Sequence, residues 1–113
     1  MIYKICTRDQ WQQAVAAGTS HGAAIDLKDG YIHFSAAHQV RETAARHFSG
    51  QTDLVLVAVD ERVLGENLKW EVSRGGNRFP HLYDTLNVAC VTSAVQLPLG
   101  EDGVHQFPDS VPV

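Results

Sequence analysis

At 113 residues, with 44% hydrophobic and 19% charged side chains, the chain is the size of one domain and has the apolar content for a core, which excludes a disordered protein. Nine Lys and Arg against thirteen Asp and Glu give a net charge of −4 with no basic run, so tight nucleic-acid binding is disfavoured. Cys6 and Cys90 form no C-x-x-C, the opening residues lack an apolar core of signal-peptide length, and the longest apolar run, Leu54–Val59, cannot span a bilayer, so a cytoplasmic protein without a membrane partner is expected.

The stretch IYKIC reads as an opening strand. Thr7 and Gln10 have the spacing of a capping box and start a helix through about Ala17, with Trp11, Ala14 and Val15 on its inner face and Gly18 past its end. Residues 19 to 30 read as a loop. YIHFS is a second strand, and Ser35 is expected to cap a helix over residues 36 to 48, where Val40, Ala44 and Phe48 recur every four positions and Gly50 stands near the stop. DLVLVAVD is apolar on both faces and should be a central strand. RVLGENL reads as a turn or short helical piece. In LKWEV, Leu68, Trp70 and Val72 alternate with Lys69 and Glu71. Pro80 makes FPHLY extended, and VACVTSAVQL is the last strand. Residues 98 to 113 hold three of the four prolines and are expected to be irregular and partly mobile. The fold expected is α+β, two small antiparallel sheets with two helices, as a single domain over residues 1–97 with 98–113 as its tail.

Two histidines stand out. His33 alternates away from Ile32 and Phe34, so it faces a cleft or solvent; it is either an ordinary strand histidine or a donor to a sugar hydroxyl or phosphate beside the helix start at Ser35. His81 follows rigid Pro80 and is either a structural tie or an acid-base group. Glu71 is a solvated carboxylate or a tuned base. Tyr31 and Tyr83 line a cleft or pack with their hydroxyls at the surface. Arg74 and Arg78 flank Gly75 and Gly76 in an anion-binding loop or a solvated turn. The remaining histidines show no metal-ligand spacing, and neither G-x-S-x-G, G-x-G-x-x-G nor a P-loop is present.

The ordered set IYKI, DGYIHFS, LVLVAVD, LKWE and FPHLYD, spanning about residues 2 to 97, closely resembles a bacterial family known as domain of unknown function 952. That family is grouped with the ADP-ribosyltransferase-like fold, near RNA 2′-phosphotransferases. The resemblance implies that His33 falls on the second-strand histidine facing an NAD cleft. It places Lys4 where related enzymes carry a histidine contacting the adenosine ribose. Asp29 and Gly30 replace a region where the phosphotransferases supply an arginine. Together with the reading of the residues, this makes His33, Glu71 and His81 the candidate catalytic residues and Lys4, Tyr31, Ser35 and Tyr83 the candidates to contact NAD, here a substrate; no metal is expected. The activity implied is ADP-ribosyl transfer or NAD glycohydrolysis. The alternatives are a catalytically inactive module binding a nucleotide or ADP-ribose, and a metal-dependent hydrolase.

Overall fold

The computed structural model describes residues 1–112, with only the backbone of Arg74. Strand β1, Ile2–Thr7, ends where Thr7 caps helix α1, Arg8–Ala17. Thr7 Oγ1 accepts from the Gln10 amide at 3.0 Å, and Gln10 Oε1 accepts from the Thr7 amide at 2.9 Å, the reciprocal bonding that the spacing predicts. Gly18, at φ 80, supplies the left-handed turn, and its amide donates to the Ala14 carbonyl at 2.8 Å. Thr7→Ala is expected to lower stability by about 1 kcal/mol, read from the midpoint of urea unfolding, because the Gln10 amide in the first turn loses its acceptor. Of the expected inner face, Ala14 is buried and Trp11 partly so, but Val15 is half exposed.

The segment read as a loop carries structure. It holds β2, Thr19–Ser20, and a second helix, α2, Ala24–Asp29, closed by Gly30 at φ 87. The helix escaped the sequence pattern because its amphipathicity is inverted: Asp26 is buried while Ile25 and Leu27 face outward. Strands β3, Ile32–His33, and β4, Ser35–Ala36, lead into α3, Ala37–His47. Ser35 does not cap α3, as expected from its type; Ala36 occupies that position, and Gln39 Oε1 accepts from the Ala36 amide. Ser35 is instead a buried strand residue whose hydroxyl bonds that of Thr43 at 2.8 Å.

Strand β5, Leu54–Val59, is followed by 3-10 turns at Glu61–Val63 and Gly65–Asn67, then β6, Leu68–Val72, and β7, Arg78–Leu82. The chain continues with β8, Leu86–Asn87, a 3-10 turn at Val88–Cys90 and β9, Val91–Leu97. The described residues thus form three antiparallel sheets and three α-helices rather than two of each: β4-β1-β5-β9, β3-β7-β6 and the short pair β2-β8. Two-residue strands paired across more than sixty positions leave no periodic signal, which is why the third sheet is invisible in sequence.

Every residue of β5 is buried, which explains its unbroken apolar run. Leu54, Leu56 and Ala58 pack with Tyr3, Ile5, Val40 and Ala44 beneath α3. Val55, Val57 and Val59 pack on the other face with Ile2, Ile32, Phe34 and Leu82, so the β3-β7-β6 sheet is held against the main one. The tail is irregular but anchored. Val111 joins the core, the Arg41 guanidinium donates to the carbonyls of Val111 and Pro112, and His105 is buried against the Gln51 carbonyl. No helix among the described residues is long and apolar enough to cross a membrane.

Candidate functional site

The β3-β7 pairing sets His33 directly opposite His81. Alternation then decides their direction. Ile32 and Phe34 are buried on one side, which turns the His33 side chain the other way, where it is about one third exposed. The two imidazole centroids lie 5.5 Å apart, edge to face. Tyr31 stacks on both, at 4.6 Å from His33 and 4.1 Å from His81, and also meets Tyr83 at 5.1 Å. Burial, then the negative charges of Asp29 and Glu71, push the Tyr31 phenol up from its ordinary value.

Each histidine is tied to a carboxylate, in different ways. His33 Nδ1 faces Asp26 Oδ1 at 2.5 Å and its Nε2 faces Asp29 Oδ2 at 3.0 Å, so both ring nitrogens are engaged. His81 Nδ1 faces Glu71 Oε1 at 2.9 Å, while its Nε2 has no hydrogen-bond partner among the described residues. Tyr83 Oη donates to the same Glu71 oxygen at 2.6 Å. Those two bonds, Tyr83 first, hold the Glu71 carboxyl below its ordinary value, and the same contact pushes the Tyr83 phenol up to about 12.

Asp26 is the hub that sequence reasoning missed. Its side chain is fully buried. Oδ1 accepts from His33 Nδ1 and the His33 amide; Oδ2 accepts from the Ala23 amide at 2.7 Å and from Lys4 Nζ at 3.0 Å. Four donors occupy the acceptor capacity of the carboxylate. Burial alone would raise its pKa, but the His33 bond, the Lys4 charge and the Ala23 amide outweigh it and hold the carboxyl well below the usual range. Gly22 makes the arrangement possible, since a Cβ there would lie 2.6 Å from Asp26 Oδ2. Lys4 spends a second proton on the His33 carbonyl at 3.1 Å. A reader of the sequence could have found Asp26 only from the oddity of an acid between two apolar residues in a helix ended by glycine.

Lys4, His33, Ser35 and His81 line a cleft of about 780 Å³ that also takes in Asp26, Thr43, Ser73 and Phe79, a size typical of small-molecule sites. Tyr31, Tyr83 and Glu71 lie outside that lining and form a layer that positions the two histidines. The helix start beside Ser35 is plugged by Gln39, whose side-chain amide donates to the Arg78 carbonyl at 2.7 Å, so it is less open to an anion than the sequence suggests. The Arg78 side chain is exposed and donates to the Trp70 carbonyl at 3.5 Å. The Arg74 side chain lies outside the described residues. No group of three or more His, Cys, Asp and Glu among the described residues has the arrangement of a metal site.

An α+β chain whose small sheet presents paired histidines, each backed by a carboxylate, defines the class of protein to be matched. Residues 5–94 match the family described as protein of unknown function, DUF952, and the chain belongs to that family. It is similar to protein CC0527 from Caulobacter crescentus, at 55% identity over 97% of this chain and 96% of that one, and the crystal structure of CC0527 superposes with a TM-score of 0.93. The solution NMR structure of CC0527 gives a TM-score of 0.87 at 55% identity, over 96% and 94% of the two chains. No curated protein matches the chain.

Proposed function

We propose that the cleft takes NAD or ADP-ribose and that the protein transfers or hydrolyses the ADP-ribosyl group. The observation that carries this is the state of His81. An ionised Glu71 can only accept, so it holds the Nδ1 proton; in the neutral ring the lone pair is then on Nε2, which has no hydrogen-bond partner among the described residues, on a side chain that lines the cleft. In hydrolysis, the bond between nicotinamide and ribose breaks, the pair of electrons leaves with nicotinamide, and water adds to the ribose carbon. His81 Nε2 takes the proton that water releases. Lys4, whose ammonium has two partners among the described residues and three protons to donate, and the rim at His33 would orient the diphosphate or a ribose. The resemblance to ADP-ribosyltransferases in the first strand and in YIHFS supports the choice of nucleotide.

A second reading, a binding module without turnover, is favoured by one feature. The carboxylate inside the cleft, Asp26, is saturated by its four donors, and Glu71 stands outside the lining, so no free carboxylate is placed to stabilise a cationic ribose. The side-chain geometry of the described residues gives the metal-dependent hydrolase no support. Incubating the full chain with NAD while following nicotinamide release, alongside calorimetry with NAD, ADP-ribose and AMP, separates the cases. Release above buffer supports the enzyme; binding without release supports the module; neither binding nor release overturns both.

A further inference from the structure

One strand edge in this fold is long and unguarded. Among the described residues, β2, β3, β4 and β8 have two residues each, and the edge strand β6 carries Lys69 and Glu71. Short length and charge are the ordinary defences of a sheet edge against pairing with another chain. Strand β9 has neither. It runs for seven residues, VTSAVQL, without a charge or a proline. Its strand partner is β5, and none of its backbone groups bonds to any other described segment. The register with β5 slips once, near Val91, so residues 93–97 run regularly. Thr92, Ser93, Val95 and Gln96 are exposed, Val95 by 41%.

We propose that β9 pairs antiparallel with β9 of a second copy of this chain, about a two-fold axis, joining two four-stranded sheets into one of eight strands. Antiparallel pairing about a two-fold axis is the arrangement in which one strand is its own complement. The side-chain pattern permits it. Val95 lies opposite Leu56, on the face beneath α3, with Ser93 and Leu97; Ala94 packs on the other face. A register centred on Ala94 or Val95 keeps both faces matched, brings no like charges together and gives Val95 a cross-strand neighbour. An uncharged edge offers nothing for a differently charged partner to recognise, whereas its own copy meets no repulsion. The strand order places β9 at the far end of the sheet from β4, so the cleft bordered by β1 and Ser35 stays open in both copies.

Sedimentation velocity of the full chain, from low micromolar to sub-millimolar concentration, tests this. A species of twice the 12.4 kDa chain mass is expected. Val95→Lys, at an exposed position, should raise the dimer dissociation constant at least tenfold with an unchanged circular dichroism spectrum, and Ser93→Lys should do the same. Hydrogen exchange on the unaltered chain gives a reading that does not depend on any variant folding: the β9 amides that point away from β5 should lose protection on dilution while those bonded to β5, and the β5 amides, keep theirs. A chain of single mass at every concentration overturns the proposal. So does a dimer that neither substitution weakens.

Discussion

Asp26→Asn is expected to lower the unfolding free energy by about 3 kcal/mol, the scale for removing one member of a buried ion pair and leaving the other behind. The loss has two sources. Lys4, with its side chain only 13% exposed, keeps a charge that no longer has a counterpart. The asparagine amide also turns two N–H donors toward groups that are themselves donors: His33 on one side, or the Ala23 amide and Lys4 on the other. Urea unfolding of both proteins at neutral pH measures the difference, and a change below about 1 kcal/mol would contradict the assignment of Asp26 as the hub. The pH dependence has a defined sign. A carboxyl whose folded pKa is depressed contributes stability above its unfolded pKa, ordinarily 3.8, and that contribution is lost as pH falls from about 5 toward the folded value. The unaltered chain should therefore weaken through this acid range more steeply than Asp26→Asn.

The second large effect concerns the chemistry. His81→Asn and His81→Gln place an amide near Nδ1 and near Nε2 respectively, so they divide the two duties of the ring. Both should reduce nicotinamide release by about 100-fold or more, because neither amide accepts a proton. Their binding should differ. His81→Gln retains a polar group toward the cleft and should hold NAD within severalfold of the unaltered chain, whereas His81→Asn keeps only the contact with Glu71 and should bind more weakly. Calorimetry alongside the turnover assay reads both. Full turnover in His81→Gln would remove His81 from the reaction.

The elements that were legible in sequence are those whose signal is local. The Thr7–Gln10 box, Gly18, the apolar run of β5 and the alternation around His33 each depend on neighbours a few positions away. The helix α2 was not legible, because periodicity methods assume that apolar residues point inward and here Asp26 does. Ser35 was misplaced for a related reason: its hydroxyl found Thr43, eight residues on, before it could serve the helix start. The candidate site divides the same way. His33 and His81 could be singled out from strand alternation and from Pro80, but their pairing across β3 and β7 is a tertiary fact. Asp26 has no local mark beyond being an acid between two apolar residues, and it decides how Lys4 and His33 are held.

The inverted helix α2 has a thermodynamic consequence. A six-residue helix is too short to persist by itself, and this one, with Ile25 and Leu27 54% and 66% exposed, gains little from apolar burial. What holds it is the set of bonds to one carboxylate. Its opening free energy is therefore set locally and should lie below that of the whole domain, so α2 forms its own unit of fluctuation. When it opens, Lys4 and His33 lose their common anchor in the same event and the wall of the cleft changes with them. Any ligand that grips that wall only when α2 is closed adds its binding free energy to the closed state, and closure in turn raises affinity by the same factor. Occupancy of the cleft and the order of α2 are two readings of one equilibrium.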